Sequence, residues 1–176
     1  MKKEKIETPR YSPNLVWSKA HAFDRFDKLL LQELDENARK SLAEISRKVG
    51  LSRDAVRERI KKLVDKKVFL AFKPIYNPPN MGFPIVNYVV VSLYNPSEEN
   101  ERRFLSYLRS NKYVTYIASL TGPWDYILDI MAENPGHFDQ IMKGIRRKFP
   151  RLIKDYEVYG VLQEYKYEEI GRLVYS

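Results

Sequence analysis

Three amphipathic helical patterns follow one another in the first half of the chain, and the short breaks between them restrict its fold. Asp24 can cap the first helix, and the spacing of Ser41 and Glu44 is that of a capping box at the start of the second. Gly50 ends the second pattern, where a glycine can adopt a left-handed turn conformation. Ser52 can cap a third helix two residues later. Two helices joined across a short glycine turn indicate a helix-turn-helix domain.

The second half of the chain alternates strands and helices in the order βαββαβ. The predicted strands are Ile85–Leu93, 114–120, 126–132 and 152–162, and the predicted helices are 97–110 and 134–149. This order is typical of a ferredoxin-like domain. The predicted fold class is therefore α+β, with a winged helix-turn-helix domain joined to a ferredoxin-like αβ sandwich. The predicted division is a basic arm (1–22), the helix-turn-helix domain (23–67), a strand and linker (68–84), the ferredoxin-like domain (85–162) and a tail (163–176).

The basic character of the chain belongs to its first half. Residues 1–76 carry 19 Lys and Arg against 11 Asp and Glu, whereas residues 77–176 carry 12 of each. A basic module joined to an electrically neutral one commonly binds a polyanion with the first. The sequence therefore predicts double-stranded DNA as a partner and leaves self-association or ligand sensing to the second half.

Several classes of protein are not expected. No cysteine is present, so disulfides, thiolate zinc sites and a cysteine nucleophile are excluded. The two histidines, His21 and His137, are too far apart for a metal-ligand pattern, so we expect no metal, no cofactor and no enzyme activity. The most apolar run, Ile85–Leu93, is too short to span a bilayer. We expect a cytoplasmic, nucleoid-associated protein without a membrane partner.

The predicted strands are apolar on both faces. Val86 and Val90 face one side and Val89 and Val91 the other. Two helices can cover only one face of a four-stranded sheet, so the other face requires a further layer. We expect a homodimer joined sheet to sheet. The alternative is that the tail folds back over this face through Tyr165, Tyr167, Ile170, Leu173 and Val174.

The two halves together resemble the Lrp/AsnC, or feast/famine, family of bacterial and archaeal transcription regulators over about residues 26–162. The resemblance is carried by Leu42, Ala43, Ile45, Val49 to Ser52, Val56, Arg59, Ile60 and Leu63, and in the second half by Gly122, Asp125 and Tyr126. It implies a regulator whose second domain, of the RAM type, dimerises and binds an effector such as an amino acid. It also implies assembly into tetramers or octamers. Within this resemblance the expected source is archaeal, and separately the absence of cysteine and the scarcity of glutamine fit a thermophile.

The third helix of the first domain would enter the major groove. Its N-terminal residues reach deepest, so the expected base contacts are Ser52, Arg53, Asp54 and Arg57. Phosphate contacts are expected from Arg47, Lys48, Lys61 and Lys62. Arg59 lies beside the buried stripe, where a structural salt bridge and a DNA contact are equally compatible with the pattern. The alternative for the whole helix is a solvated charged face.

A turn in the second half is the candidate effector site. In the Lrp/AsnC resemblance, Thr121, Gly122, Asp125 and Tyr126 match the turn that helps form an effector pocket. Pro123 departs from the family pattern and removes a backbone donor. Asp125 could instead cap the turn.

Two other functions are compatible with this architecture. An architectural protein would coat or bend DNA with little sequence preference. Sirohaem decarboxylases resemble the same two-part arrangement, but the second half contains only His137 as a histidine to meet a tetrapyrrole carboxylate.

Overall fold

The computed structural model describes residues 20–167 and 169–175. The chain divides into two compact units, one formed by the chain up to Pro74 together with the segment from Lys166 on, and the other by Ile75–Tyr165. None of the described helices has the length and apolar character needed to cross a bilayer. The arm predicted over 1–22 lies outside the described residues except for its last three.

The first unit contains three consecutive helices, α1 (Arg25–Glu36), α2 (Leu42–Val49) and α3 (Arg53–Asp65). Asp24 caps α1, Ser41 and Glu44 form the predicted capping box of α2, and Ser52 caps α3. Gly50 adopts the predicted left-handed conformation, with φ 76° and ψ 31°. Each cap satisfies backbone N–H groups that a helix start otherwise leaves without partners. The predicted helix-turn-helix is confirmed.

A small apolar core holds the three helices together. Leu30 of α1, Ile45 of α2, and Val56 and Ile60 of α3 are at most 1% exposed. These positions are spaced so that each helix turns one apolar stripe towards the other two. The core fixes how α2 presents α3, which is the element expected to meet DNA.

The segment expected to form a strand after α3 does not do so. Residues 68–75 belong to no strand, and Val68 N–H instead donates to Leu63 O at 2.9 Å to close the end of α3. Phe69 and Phe72, with ring centroids 5.3 Å apart, pack on the helical core. A strand needs a hydrogen-bonded neighbour, and no segment within residues 20–167 and 169–175 pairs with this one.

The second unit is an antiparallel four-stranded sheet with two long helices. Its elements are β1 (Ile85–Leu93), α4 (Glu98–Ser110), β2 (Val114–Ser119), β3 (Tyr126–Ala132), α5 (Pro135–Lys148) and β4 (Ile153–Gly160). The strand order β2-β3-β1-β4 is that of a ferredoxin-like sheet. A short 3₁₀ turn, Pro79–Met81, precedes β1. The predicted βαββαβ architecture is confirmed.

The core of the second unit lies between one face of the sheet and the two helices. Val89 and Leu128 point from the strands towards Phe104, Leu108 and Ile145 of α4 and α5. These five side chains are at most 1% exposed. Neither α4 nor α5 covers the opposite face, which is called the free face below.

The end of the tail packs on the helices of the first unit. Its short helix α6 (Arg172–Tyr175) contacts α1, and the Tyr175 hydroxyl donates to Asp35 Oδ2 at 2.9 Å. Ile170 and Leu173 remain 65% and 84% exposed. The structure thus engages α6 with α1, and the alternative in which residues 165–174 cover the free sheet face stays a prediction.

Candidate nucleic-acid interface

The turn between α2 and α3 is fixed by its own hydrogen bonds. The N–H of Gly50 donates to Ser46 O at 3.0 Å, and the Ser46 hydroxyl donates to Leu51 O at 2.5 Å. The Ser52 hydroxyl oxygen accepts the N–H of Ala55 at 3.2 Å and thereby starts α3. With Gly50 in the left-handed region, where a side chain would be strained, α2 and α3 are held in a defined orientation.

The residues expected to contact bases lie together on the first turns of α3. Ser52, Arg53 and Asp54 are exposed, and Arg57 follows one turn later on the same side. Arg57 Nη1 donates to Asp54 Oδ1 at 2.8 Å, with side chains 42% and 84% exposed. An ion pair this exposed contributes little to stability. It orients Arg57 along the helix while leaving its guanidinium accessible.

The residues expected to contact phosphates lie on α2 and further along α3. Arg47 and Lys48 lie in the last turn of α2, and Lys61 and Lys62 follow the base-contacting residues along α3. All four are exposed. Arg47 Nε donates weakly to Ala43 O at 3.4 Å, and within the described part of the chain none of the four has an ion-pair partner.

Arg59 has a structural position. Its Nη1 donates to Asp24 Oδ2 at 2.7 Å and to Asp27 Oδ1 at 2.8 Å, and its guanidinium carbon lies 5.2 Å from the centroid of the Phe26 ring. These bonds, led by the one to Asp24, raise the pKa of Arg59 above its ordinary value. Asp27 is 2% exposed and is also bonded to His21 at 3.3 Å. Arg59 therefore ties α3 to the start of α1 and is directed away from the base-contacting residues.

The candidate effector turn is partly engaged in holding the sheet. Asp125 Oδ2 accepts the N–H of Leu93 at 2.6 Å, and Asp125 N–H donates to Val91 O at 2.9 Å. The first of these bonds lies at the irregularity where the register of β1 with β4 shifts. Thr121 and Gly122 are exposed, and Gly122 has φ 117°. Asp125 thus ties the turn to β1, and Thr121 and Gly122 are open to solvent.

Tyr126, the fourth residue expected at the effector site, is buried. It is 5% exposed and its hydroxyl is hydrogen-bonded to Glu101 of α4. Burial, followed by the bond to Glu101, raises the pKa of Tyr126 well above its ordinary value, so the phenol stays protonated as a donor. Its role in the structure is to join β3 to α4.

The free face of the sheet carries a row of polar side chains across all four strands. The register places Tyr159 of β4 opposite Tyr88 of β1, Tyr88 opposite Asp129 of β3, and Asp129 opposite Tyr116 of β2. Asp129 Oδ1 is buried and meets no hydrogen-bond donor within the described chain. Burial raises the pKa of this carboxyl above its ordinary value. Asp129 is not among the residues predicted from sequence, although an acid within an apolar strand is a signal for an unusual environment.

Both histidines have structural contacts. His21 is bonded to Asp27, and His137 Nδ1 accepts the N–H of Glu133 at 3.3 Å while its ring packs edge-on against Tyr113 at 4.5 Å. Among residues 20–167 and 169–175 no group of three or more His, Asp and Glu side chains is placed to hold a metal ion.

Two family descriptions match the two units in order. The AsnC-type helix-turn-helix domain matches residues 23–64, and the Lrp/AsnC ligand binding domain matches residues 87–170. The HTH-type transcriptional regulator Ptr1 of Methanocaldococcus jannaschii is 36% identical over 105 residues, which are 59% of this chain and 68% of that protein. The chain belongs to the Lrp/AsnC family.

Other Lrp/AsnC proteins agree with this assignment. An HTH-type transcriptional regulator of Pyrococcus furiosus is 32% identical over 126 residues, 70% of this chain and 82% of the relative. A proline dehydrogenase transcriptional activator of Rhizobium radiobacter is 28% identical over 124 residues, 70% of this chain and 80% of that activator. The family is one of transcriptional regulators.

Solved Lrp/AsnC structures share the fold. A transcriptional regulator of Neisseria meningitidis in complex with L-Met has a TM-score of 0.76 at 24% identity, and an AsnC family regulator from Agrobacterium tumefaciens has 0.75 at 23%. Each alignment covers 84% of this chain and 95% of the other. The predicted fold class is confirmed by this likeness.

Proposed function

We propose that this Lrp/AsnC protein is a sequence-specific DNA-binding transcription regulator that acts in the nucleoid as a dimer or a larger homo-oligomer. The observation that carries the proposal is the difference between two arginines of α3. Arg59 is held by two carboxylates, whereas Arg57 lies on the exposed side among the residues expected to contact bases. A helix that uses one arginine for its own fold and leaves another accessible is suited to direct base contact.

Base and phosphate roles are proposed separately. Arg53 and Arg57 would donate to guanine O6 and N7, and the carboxylate of Asp54 would accept from cytosine N4. The Ser52 hydroxyl oxygen is used as the helix cap, but its O–H can still donate to a phosphate or base. Arg47, Lys48, Lys61 and Lys62 would bind phosphates.

The test is competitive binding to genomic fragments, including the DNA upstream of the chain's own gene, with random duplex as competitor. A preference of about 10³-fold or more for one fragment supports a specific regulator. Arg57→Ala should lower affinity for that fragment by about 5- to 150-fold, because a bidentate base contact contributes about 1–3 kcal/mol. The same variant should lower affinity for random duplex much less. Lys61→Ala, the matched control, should weaken binding to both equally. Tight but uniform binding by the parent chain would instead favour an architectural protein.

We propose that the free sheet face is the dimer interface. In support, the row that contains Asp129 is flanked by two apolar pairs, Val86 opposite Met131 and Val90 opposite Ile127, and α4 and α5 pack on the other face. In an interface with two-fold symmetry the same patch of each subunit would face the other. Ile127→Glu should yield monomers in sedimentation equilibrium, with Ile75→Glu, at an exposed linker position, as the control. A parent chain that sediments as a monomer at micromolar concentration would contradict the interface.

We also propose that the second unit binds a small effector near the exposed part of the effector turn, at Thr121 and Gly122. The match to a ligand binding domain and the L-Met complex of the Neisseria regulator support an amino-acid-like ligand. Asp125 would act by holding the turn, since its carboxylate already accepts the Leu93 N–H. Calorimetry with the twenty common amino acids tests the proposal, and the absence of both heat and a change of assembly would contradict it.

We propose no catalytic step for this chain. Both histidines are engaged in packing or in bonds to neighbouring groups. Purified protein should carry no tetrapyrrole absorbance, and recovery of a bound tetrapyrrole would favour the decarboxylase alternative.

A further inference from the structure

The second half of the chain is neutral as a whole, but half of its cationic side chains lie in one short segment. Residues 77–176 contain 12 Lys and Arg, and six of them fall between residues 143 and 154, where no acidic residue occurs. The segment runs from the second half of α5 to the start of the edge strand β4. The net charge of the second half is therefore zero only because acidic residues elsewhere balance this cationic segment.

Four of these cations line a groove of about 640 Å³ between α5 and β4, and the other two, Lys148 and Arg151, neighbour the lining residues in sequence. Lys143, Arg146 and Arg147 lie on the helical side, and Lys154 lies on the strand. Phe149 and Tyr156 supply apolar surface. The groove thus has positive charge on both sides, which is the arrangement expected for holding an extended anion.

Most of this charge is not neutralised by the protein. Lys143 is paired with Asp139 at 2.6 Å, and Arg146 lies over the Tyr156 ring at 5.5 Å. Arg147 and Lys154, and Arg151 between them in sequence, are exposed and have no ion-pair partner in the described ranges.

The other acid at the groove does not remove this excess. Asp155 Oδ1 accepts the N–H of Tyr156 at 2.8 Å, and this single negative charge faces four cations that line the groove.

The dipole of α5 explains only part of the cluster. Cations in the last turn of a helix are favoured by its negative end, and Arg146, Arg147 and Lys148 are in that turn. Arg151 and Lys154 come after the helix, and Lys154 lies on the opposite side of the groove. Stabilisation of α5 does not require them.

We propose that this α5–β4 groove binds phosphate groups of the backbone of duplex DNA, beyond the bases that α3 contacts. The inference rests on the proposed DNA-binding function and adds a second contact surface to it. Guanidinium and ammonium groups on two elements pair with successive phosphates without reading sequence. The groove therefore contributes affinity for long DNA, and this contribution weakens as salt increases.

The test uses the full chain and two duplexes, one limited to the preferred site and one extended on each side by about 30 base pairs, or three helical turns. The groove variant is Arg147→Gln/Arg151→Gln/Lys154→Gln, which spares the paired Lys143 and the stacked Arg146. The control variant, Arg102→Gln/Arg103→Gln/Arg109→Gln, removes the same charge from exposed positions of α4 in the same unit. Circular dichroism spectra of both should match the parent.

The groove variant should reduce the slope of log affinity against log salt on the extended duplex by up to about 2.7, since each phosphate contact contributes about 0.9. Its slope on the short duplex and its preference for the site should not change. The control should leave both slopes at the parent value. An unchanged slope on extended DNA for the groove variant, or an equal decrease for both variants, overturns the proposal.

Free phosphate esters are the competing ligand. Calorimetry with ATP and with inorganic pyrophosphate separates the two sources. Binding of either that is lost only in the groove variant, with the DNA slope unchanged, would assign the groove to a small molecule and overturn the proposal. The failure of the parent chain to prefer any genomic site would contradict the proposed function, whereas an intact preference with an unchanged slope contradicts only the groove.

Discussion

Replacing Arg59 by alanine should destabilise the helix-turn-helix unit rather than remove a DNA contact. Arg59 bridges α3 to Asp24 and Asp27 at the start of α1, 35 and 32 residues earlier in the chain. Asp27 is 2% exposed, so bulk water cannot solvate its carboxylate once the Arg59 guanidinium is removed. An unpaired buried charge is the main cost that we expect from Arg59→Ala.

The magnitude follows from the burial of each partner. Removing one member of a buried ion pair costs about 3–5 kcal/mol. The Arg59 side chain is 27% exposed, and Asp27 keeps its contacts to His21 and to the Asp24 N–H, so the lower part of that range applies. The bond to Asp24, whose side chain is 51% exposed, adds little. Loss of the contact with the Phe26 ring adds about 0.5–1 kcal/mol. We expect a loss of about 3 kcal/mol in the free energy of unfolding, or about 1–2 M in the urea midpoint.

Urea unfolding of the full chain measures this loss. Far-ultraviolet circular dichroism should show the helical transition of the first unit at lower urea, while the fluorescence of Trp124, measured in a Trp17→Phe background, should keep the midpoint of the second unit. Arg57→Ala is the matched control, because it removes the same charge two positions away in the same helix. Its pair with Asp54 is exposed, so its effect should be within about 0.5 kcal/mol. The reasoning is refuted if Arg59→Ala leaves the urea midpoint unchanged and lowers DNA affinity as Arg57→Ala does.

Four further outcomes are expected. Asp125→Ala should lower the urea midpoint of the second unit by the equivalent of about 1–3 kcal/mol, because the Leu93 N–H loses its acceptor. Asp129→Asn should be more stable than the parent at neutral pH, because the raised pKa of Asp129 means that ionising this carboxyl destabilises the folded state. Urea titrations at several pH values should show the stability difference between variant and parent decreasing as the pH falls towards 3.8, the ordinary pKa of the carboxyl. Gly50→Ala should cost about 1 kcal/mol in thermal unfolding because φ is 76°. Truncation after Tyr165 should lower the thermal midpoint of the helical unit, because α6 packs on α1.

The elements that could be predicted from sequence are those set by local interactions. The capping box of Ser41 and Glu44 and the glycine turn at Gly50 each depend on residues within one helical turn. Asn134 followed by Pro135 likewise begins α5 as expected. The alternation of strand and helix patterns along the sequence was sufficient to predict the βαββαβ order. Local chemistry of this kind does not depend on knowing which distant segments meet.

The features that sequence reasoning left open or missed depend on contacts between distant residues. Arg59 could not be assigned until its distance to Asp27 was known, because either role fits its position beside the buried stripe. The extended pattern at 68–75 predicted a strand, but strand formation depends on a partner that local sequence does not specify. The docking of α6 on α1 joins residues 140 positions apart through Tyr175 and Asp35. Of the candidate site residues, those on α3 are exposed as the sequence predicts, whereas the polar groups of Asp125 and Tyr126 form bonds within the protein.

The placement of α6 affects the order in which the chain can complete its structure during synthesis. The ribosome releases α1, α2 and α3 first, then the whole of the sheet unit, and only afterwards the residues that form α6. The helix-turn-helix core can form early, but α1 acquires its contact with Tyr175 only after β1 to β4 have been translated. A messenger RNA cut within the sheet region would therefore yield a DNA-binding unit that lacks one of its packing partners. Such products should be degraded faster by cellular proteases than the full chain.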